Sequence, residues 1–345
     1  MTAQSSPGET APPASRLELR DITVERGGRP VVKDVTITVP AGEVTALLGP
    51  NGAGKSSLVL AVGGVLRPRP GSVLLDGTEL AGRRPEKIRA AGVAIVPEGR
   101  RLLPDLSVDD NIRVATYAMS KQAAAEGRAR ALELFPRLSE RLNVPARLLS
   151  GGEQQMVVLA QALVSQPKYM LIDELSLGLA PVIVNQLIPV IRSVAASGVG
   201  VLLIEQFATV ALSLATGAHV MEGGVLRYSG TTAELTERPE LLQSAYLLRG
   251  STIEAATVID AGVIEDLGEP GDSPELPSRA PRSSRPRSAT SGDGEAVALA
   301  DQPGDHDLEG RHGLRAVAAA IVLQDDRARA RGPHDGADDL ADPRP

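Results

Sequence analysis

The sequence predicts an α/β fold with a parallel-sheet core, an added antiparallel β subdomain, an inserted helical subdomain and a disordered C-terminal tail. Three observations predict it. Short apolar runs alternate with helical stretches between residues 44 and 204, as in parallel sheets whose strands are joined by helices. A glycine-rich loop joins one of these runs to a helix. After residue 250 the composition becomes polar and rich in proline, which is typical of disorder.

The chain begins with a polar segment followed by a β hairpin. Residues 1–15 lack the basic start and apolar core of a signal peptide, so we expect a disordered lead-in. From Leu17 to Val39, two β-prone runs flank the pair Gly27-Gly28. This pattern predicts two antiparallel strands joined by a tight turn.

The third predicted strand leads into a phosphate-binding loop. The apolar run Val44–Leu48 comes before the loop, and a helix is predicted from Ser56 to Val65. Glycines let backbone N–H groups turn toward phosphate oxygens, the lysine reaches the terminal phosphates, and the serine offers a hydroxyl to Mg²⁺. A chance glycine-rich turn is the alternative, and the strand–loop–helix context argues against it. We expect ATP and Mg²⁺ to bind at Gly49, Pro50, Asn51, Gly52, Ala53, Gly54, Lys55, Ser56 and Ser57.

The middle of the chain predicts helices set between further strands. Strands are expected at 73–75 and 93–96, and the stretch from Ser107 to Leu142 is rich in helix formers. The pairs Ser107/Asp110 and Ser150/Glu153 suit helix starts, because the hydroxyl can accept a first-turn N–H while the acid reaches back. We therefore expect an inserted helical subdomain at about residues 100–165.

Two adjacent carboxylates follow the next predicted strand. Asp173 and Glu174 end the apolar run 169–172, and another apolar run covers 199–204. Strand ends of a parallel sheet share one edge, so both acids should lie beside the phosphate loop. Asp173 then suits Mg²⁺ and Glu174 suits an attacking water as general base. A solvated strand end would be the reading if the phosphate loop were absent.

The run Leu149-Ser-Gly-Gly-Glu-Gln-Gln155 resembles the signature of ATP-binding-cassette (ABC) ATPases, which reads LSGGQ or LSGGE before a helix. The resemblance covers about residues 17–250 and implies a P-loop NTPase core of the ABC type. It also implies a second anion site, which faces the γ-phosphate of an ATP held by the opposite subunit. The residues of that site are Leu149, Ser150, Gly151, Gly152 and Glu153.

Three further runs resemble LivF-type subunits of branched-chain amino acid importers: VPEGRR at 96–101, SLGLAP at 176–181 and IEQ at 204–206. By this resemblance, Glu98 takes the place of a glutamine that contacts Mg²⁺ and water and communicates with the membrane domain. Gln206 takes the place of a histidine that contacts the γ-phosphate, and an amide can donate there at any pH. The alternatives are an ordinary loop acid for Glu98 and a strand-end cap for Gln206.

Four positions depart from the family pattern. Arg26 stands where an aromatic residue usually stacks on adenine, and a guanidinium can also stack on a base. Leu175 replaces a proline, Gln161 an arginine and Phe207 an asparagine. These departures leave open a catalytically impaired subunit, but the residues assigned to phosphate, metal and water are all present.

Composition and charge exclude several classes of function. The chain has no cysteine, so disulfides, thiolate zinc sites and thiol catalysis are excluded. Residues 251–345 carry a net charge of −9, which leaves +2 for residues 1–250, so charge gives no reason to expect nucleic acid as a partner. No run approaches the length of about 18 apolar residues that a transmembrane helix needs.

We therefore expect a lead-in at 1–15, an ABC ATPase domain at 16–250 and an acidic tail at 251–345. The resemblance implies an ATP-hydrolysing importer subunit, peripheral at the cytoplasmic face of the plasma membrane. Its expected partners are two permeases, a second ABC ATPase in a heterodimer and, indirectly, a solute-binding protein, with no nucleic acid. Branched-chain or related amino acids are the expected cargo. Urea or a short amide as cargo and a non-transport ABC ATPase remain alternatives.

Overall fold

A computed structural model describes residues 15–242 of the chain. The predicted disordered tail and all but the last residue of the predicted lead-in lie outside the described residues. The same is true of the last eight residues of the predicted ATPase domain.

The N-terminal part forms a four-stranded antiparallel sheet in the order β2-β1-β4-β5. The Gly27 and Gly28 turn between β1 and β2 has positive φ at both positions, 57° and 73°. A two-residue hairpin turn with this geometry matches the natural twist of the strands. The predicted hairpin is thus present. The strands of this sheet are β1 Arg16–Arg26, β2 Arg29–Pro40, β4 Ser72–Leu75 and β5 Thr78–Glu79.

The central sheet has six strands in the order β10-β9-β3-β8-β7-β6. The five strands from β9 to β6 run parallel to their neighbours, and only β10 at the edge is antiparallel. The predicted α/β class with a parallel core is confirmed. The edge strand β10 was not predicted, because most of its residues are partly exposed and show no apolar run. The strand bounds are β3 Val44–Leu48, β6 Val93–Val96, β7 Tyr169–Asp173, β8 Gly200–Glu205, β9 Gly217–Glu222 and β10 Val225–Thr231.

The helical stretch predicted from Ser107 to Leu142 is three helices in the structure, because capping residues break it. Ser107 caps α3 and Ser120 caps α4, each accepting a first-turn N–H, while Pro136 at the first turn of α5 cannot continue α4. The helices of the described chain are α1 Lys55–Val62, α2 Pro85–Ala91, α3 Val108–Val114, α4 Lys121–Leu134, α5 Pro136–Ser139, α6 Gly151–Leu163, α7 Pro181–Ala196, α8 Ala208–Leu214 and α9 Thr232–Glu237, with a short 3-10 turn at Ala146–Leu148.

The central sheet is buried on both faces, so its strands read as continuous apolar runs. Alternate residues belong to different cores. Met170 and Ile172 of β7 pack with α6 and α7, whereas Tyr169 and Leu171 pack with α1 and the antiparallel sheet. This double burial holds the strand ends rigidly, which is the mechanical requirement for a site built on them.

Helices α3 to α6 lie between β6 and β7 in the chain, and polar side chains join α3 to the loop before it and to α6. The side chain of Asn111 is fully buried and bonds the backbone of residues 103, 106 and 107. Gln161 on α6 donates its amide to the backbone oxygen of Asn111 at 2.8 Å. Gln161, a departure from the family pattern, therefore joins α6 to α3.

Within residues 15–242, no helix combines the length and the hydropathy that a membrane crossing requires.

Candidate nucleotide-binding site

The carboxyl ends of four parallel strands meet at one edge of the central sheet. Pairing sets Leu48 of β3 beside Glu205 of β8, and Asp173 of β7 beside Ile204. Loops that follow β3, β6, β7 and β8 therefore converge here, as ligand sites of open α/β sheets commonly do. The residues predicted to contact phosphate, metal and water lie in these loops or directly next to them, whereas Arg26 and the segment 149–153 lie elsewhere.

The loop at 49–54 is shaped by close backbone packing. Gly54 has a φ of 108°, and a β-carbon there would come within 2.5 Å of the carbonyl oxygen of Val31. A side chain at Gly49 would collide with the carbonyl of Met221. Gly54 is also the N-cap of α1 and offers no side chain to the first turn. The first N–H groups of α1 thus lack a side-chain cap, which suits an anion.

Lys55 lies across this loop. Its side chain is buried, and Nζ donates to the carbonyl oxygens of Gly49 at 2.7 Å and Pro50 at 3.2 Å. Burial lowers the pKa of Lys55, while the carboxylates of Glu174 and Asp173 act in the opposite direction. The ammonium therefore lies close to both acids that the sequence predicted beside it.

Asp173 is buried at the end of β7. Its Oδ1 atom is inaccessible and has no hydrogen-bond partner among the described residues, although the Ser56 hydroxyl stabilises the carboxylate. Burial raises the pKa of Asp173 to about 6, and the charges of Glu174 and Glu98 add to the effect. A buried carboxylate oxygen without a partner is costly unless a ligand satisfies it.

Glu174 adopts a left-handed backbone conformation with a φ of 56°. Its N–H donates to the carbonyl of Ile204 at 2.9 Å, which ties the start of its loop to β8. Burial and the nearby charge of Glu98 raise the pKa of Glu174, whereas Lys55 lowers it. Glu98 itself follows β6 and is half-buried. The structure thus brings Lys55, Asp173, Glu174 and Glu98 into one electrostatic cluster.

Glu205, at the end of β8, was missed by the sequence analysis. It is only 1% exposed, and its carboxylate accepts hydrogen bonds from the N–H of Ser176 at 3.0 Å and the hydroxyl of Ser176 at 2.9 Å. Burial raises the pKa of Glu205 to about 7 despite these bonds. An acid that closes an apolar strand, in the same manner as Asp173, was the available signal. The next residue, Gln206, is half-buried, and Phe207 is exposed.

The signature residues form the start of α6. The Ser150 side chain accepts from the N–H of Glu153 at 3.3 Å, and the Glu153 carboxylate accepts from the N–H of Ser150 at 2.9 Å. The predicted capping box is therefore present. The Ser150 N–H bond holds the pKa of Glu153 below its usual value. Leu149 and Gly152 are buried, with Gly152 packed against Ile183, while Ser150 is exposed.

Arg26 lies at the β1 end of the hairpin turn and pairs with Arg29. The same end of β2 packs against the phosphate loop: the carbonyl of Val31 approaches Gly54, and Gly224 bridges the two segments by bonding Lys33 and Ala53. A role for Arg26 in holding a base stays a prediction.

The described residues contain no cluster of three His, Asp or Glu side chains arranged to hold a metal ion. Mg²⁺ commonly uses only one or two protein carboxylates, together with water and nucleotide phosphates. The hydroxyl of Ser56 and the orphaned oxygen of Asp173 are hard donors of the kind that Mg²⁺ prefers, so these residues fit the ion.

Comparison with known proteins gives one consistent picture. The ABC transporter family profile matches residues 32–176. The high-affinity branched-chain amino acid transport ATP-binding protein BraG of Pseudomonas aeruginosa is 42% identical over 62% of this chain and 91% of its own length. A probable branched-chain amino acid transport ATP-binding protein LivF of Archaeoglobus fulgidus is 30% identical over 60% of this chain and 88% of its own length. In fold, the chain resembles a nucleotide-free ATP-binding cassette from an ABC transporter, with a TM-score of 0.61 and 23% sequence identity. The match covers 66% of this chain and 98% of the cassette.

Proposed function

The chain belongs to the ATP-binding subunits of ABC transporters, and we propose that it hydrolyses ATP to drive the uptake of branched-chain or related amino acids through membrane permeases. The observation that carries the cargo class is the 42% identity with BraG over 91% of that protein. Residues 16–250 form the ATPase domain in this proposal, and about 100–165 form its helical subdomain.

In the proposed site, the phosphate loop holds the triphosphate of ATP. Backbone N–H groups of the loop, other than Pro50, and of the first turn of α1 surround the phosphate oxygens. Lys55, which bonds the carbonyls of Gly49 and Pro50 in this structure, turns to the terminal phosphates when ATP is present. Arg26 stacks on the adenine in place of an aromatic residue.

Ser56 and Asp173 hold Mg²⁺ in this proposal, and Glu98 contributes from the loop after β6. When bound, Mg²⁺ neutralises charge on the phosphate oxygens as hydrolysis proceeds. The buried Oδ1 of Asp173, which has no hydrogen-bond partner among the described residues, supports the assignment.

Glu174 orients the attacking water and accepts its proton. Its raised pKa supports this role, because a base works best when its proton affinity approaches the working pH. Gln206 contacts the γ-phosphate through its amide, and the leaving ADP stays on the phosphate loop until the site opens. Lys55 stabilises the negative charge that gathers on the phosphates.

A second ABC ATPase subunit completes the site. Leu149, Ser150, Gly151, Gly152 and Glu153 of this chain face an ATP that is bound to the second subunit, and the equivalent segment of that subunit faces the ATP held here. The exposed hydroxyl of Ser150 at the start of α6 supports this arrangement. We propose a heterodimer.

The subunit is peripheral in this proposal, at the cytoplasmic face of the plasma membrane. Two permease subunits form the pathway, and a solute-binding protein delivers cargo to them without touching this chain. Closure on ATP moves α3 to α6 and the Glu98 loop against the permeases, which converts the nucleotide state into alternating access.

Uptake measurements test the cargo. We expect deletion of the gene to remove most high-affinity uptake of radiolabelled leucine, isoleucine and valine, and a copy of the wild-type gene to restore it. A Glu174→Gln copy should not restore uptake. If leucine uptake is unchanged and urea uptake is lost, the amino acid proposal is wrong and the urea alternative is correct. Co-purification of the tagged full-length chain from solubilised membranes should recover two permeases and a second ATPase.

A further inference from the structure

The segment immediately after Glu174 is held from two sides by charged side chains of neighbouring loops. The segment consists of Ser176, Leu177 and Gly178, and we call it the post-base loop. On one side lies Glu205 at the end of β8, and on the other lies Arg100 in the loop after β6.

The Glu205 carboxylate holds the near end of the post-base loop. Its two oxygens accept separately from the N–H and the hydroxyl of Ser176, at 3.0 and 2.9 Å. A carboxylate this deeply buried loses much solvation, and its two hydrogen bonds to Ser176 offset part of that cost. Glu205 also precedes Gln206, the proposed γ-phosphate contact.

The Arg100 guanidinium holds the far end. Its Nη2 atom donates to the carbonyl oxygens of Leu177 at 2.8 Å and Gly178 at 3.1 Å. A β-carbon on Gly151, the first residue of α6, would lie 3.0 Å from Nη1 of the same side chain. Arg100 therefore lies between the post-base loop and the signature segment, two residues after Glu98.

The backbone of Glu174 needs such support. A non-glycine residue rarely adopts a positive φ, and Glu174 does so at 56°. Such conformations persist when the surroundings fix them. Here the N–H of Glu174 is bonded to Ile204, Leu175 is buried in the core, and the next three residues are bonded to Glu205 or Arg100.

We propose that Glu205 and Arg100 are positioning residues, which fix the post-base loop from opposite sides and so aim the Glu174 carboxylate at the attacking water. They also link the Glu98 and Gln206 loops to Glu174, so a movement of either loop changes the orientation of the Glu174 carboxylate. This inference rests on the proposed function, because it takes Glu174 as the base.

The test uses the transporter complex purified through a tag on the full-length chain, with steady-state hydrolysis of MgATP and binding of a fluorescent ATP analogue as readouts. Misplacing a base costs rate rather than substrate binding. We expect Glu205→Leu and Arg100→Ala to lower kcat by about 10-fold or more while KM for ATP stays within about 3-fold. Glu205→Gln should recover most of the activity, because an amide can accept from the N–H of Ser176 and donate to its hydroxyl.

Two matched controls separate positioning from a general loss of hydrogen bonds. Glu79 accepts from the N–H groups of Val73 and Ala81 in the antiparallel sheet, and Arg192 donates to the carbonyl of Ser213. Glu79→Leu and Arg192→Ala remove comparable bonds from β5 and α7, outside the loops that carry Glu98, Glu174 and Gln206. We expect both controls to keep kcat within about 2-fold.

Glu174→Gln distinguishes failure of this inference from failure of the proposed function. Full turnover by Glu174→Gln would refute the base itself. Loss of turnover in Glu174→Gln together with normal kcat in Glu205→Leu and Arg100→Ala would refute the positioning role alone, as would a raised KM at unchanged kcat. If Glu205→Leu does not fold, Ser176→Ala replaces it, and a normal kcat in both Ser176→Ala and Arg100→Ala would refute the role.

Discussion

Two helix starts in this molecule look alike in sequence but differ in what surrounds them. The start of α1 follows Gly52-Ala53-Gly54, and the start of α6 contains Gly151-Gly152. The start of α1 has no side-chain cap and lies beside a buried lysine and several carboxylates. The start of α6 is closed by its own capping box and presents an exposed serine.

The two helix starts therefore suit different tasks: the α1 start suits phosphoryl transfer, and the α6 start suits the binding of an anion. Groups that carry charge through a phosphoryl transfer, namely a cation, a metal ligand and a base, gather around α1. The α6 start offers only N–H groups and a hydroxyl, which can bind an anion but cannot activate water. A helix start like that of α6 fits a segment that contributes to the active site of another subunit.

Removing the base should have the largest effect. We expect Glu174→Gln to lower the rate of ATP hydrolysis by about 100-fold or more, because a glutamine cannot accept the proton of the attacking water. ATP binding should stay within about 3-fold of wild type, since the triphosphate contacts remain. Phosphate release and binding of a fluorescent ATP analogue measure the two quantities. Hydrolysis near the wild-type rate would place the base elsewhere.

Removing the buried ammonium of Lys55 should have the second-largest effect. We expect Lys55→Ala to weaken ATP binding by about 10- to 100-fold, because charge-assisted bonds to the terminal phosphates are lost. Isothermal titration with ATP measures it. Equal weakening by Ser150→Ala would erase the contrast between the two helix starts.

Removing the second anion site should affect turnover only within the complex. We expect Ser150→Ala to lower hydrolysis by the assembled transporter by about 10-fold, with ATP binding to the isolated chain unchanged. Ser107→Ala is the matched control, because Ser107 also caps a helix through its hydroxyl. Each change should cost about 1 kcal/mol of stability. Equal loss of turnover in both variants would mean that Ser150 acts only as a cap.

Glu205 at the end of β8 and Glu153 at the start of α6 should respond to pH in opposite directions. The folded-state pKa of Glu205 is raised from 4.5 to about 7, so its ionisation weakens the fold as the pH rises through that interval. Replacing it with glutamine should stabilise the protein by about 3 kcal/mol at pH 8, and the gain should vanish toward pH 4.5. Urea unfolding at several pH values measures this difference.

The contribution of Glu153 to stability changes with pH in the opposite direction. Its pKa is lowered, chiefly by the Ser150 N–H, so the ionised form stabilises the fold above pH 4.5 and the gain is lost at lower pH. Glu153→Gln should therefore destabilise the protein at neutral pH and have less effect in acid. A matching pH response in Glu153→Gln and Glu205→Gln would contradict the assigned environments.

The sequence predicts both helix starts, but it does not predict the contacts that hold the post-base loop. The phosphate loop, Asp173 and the capping box of α6 are local patterns, in which a few adjacent residues determine the geometry. The Glu205–Ser176 and Arg100–Leu177 bonds join residues 29 and 77 positions apart, so no local pattern reveals them. The segmentation of 107–142 was missed for another reason: the helix cap at Ser120 and the helix-breaking proline at 136 outweigh a continuous run of helix formers.

In the proposed arrangement, the α6 start of this chain faces an ATP held by another subunit. The chain has no cysteine, so Ser150→Cys creates a unique thiol for an ATP analogue with a thiol-reactive group on its γ-phosphate. We expect labelling in the assembled complex, and we expect it to persist when this chain also carries Lys55→Ala and its ATPase partner keeps an intact phosphate loop. Loss of labelling on Lys55→Ala, or equal labelling of the isolated chain, would contradict this arrangement.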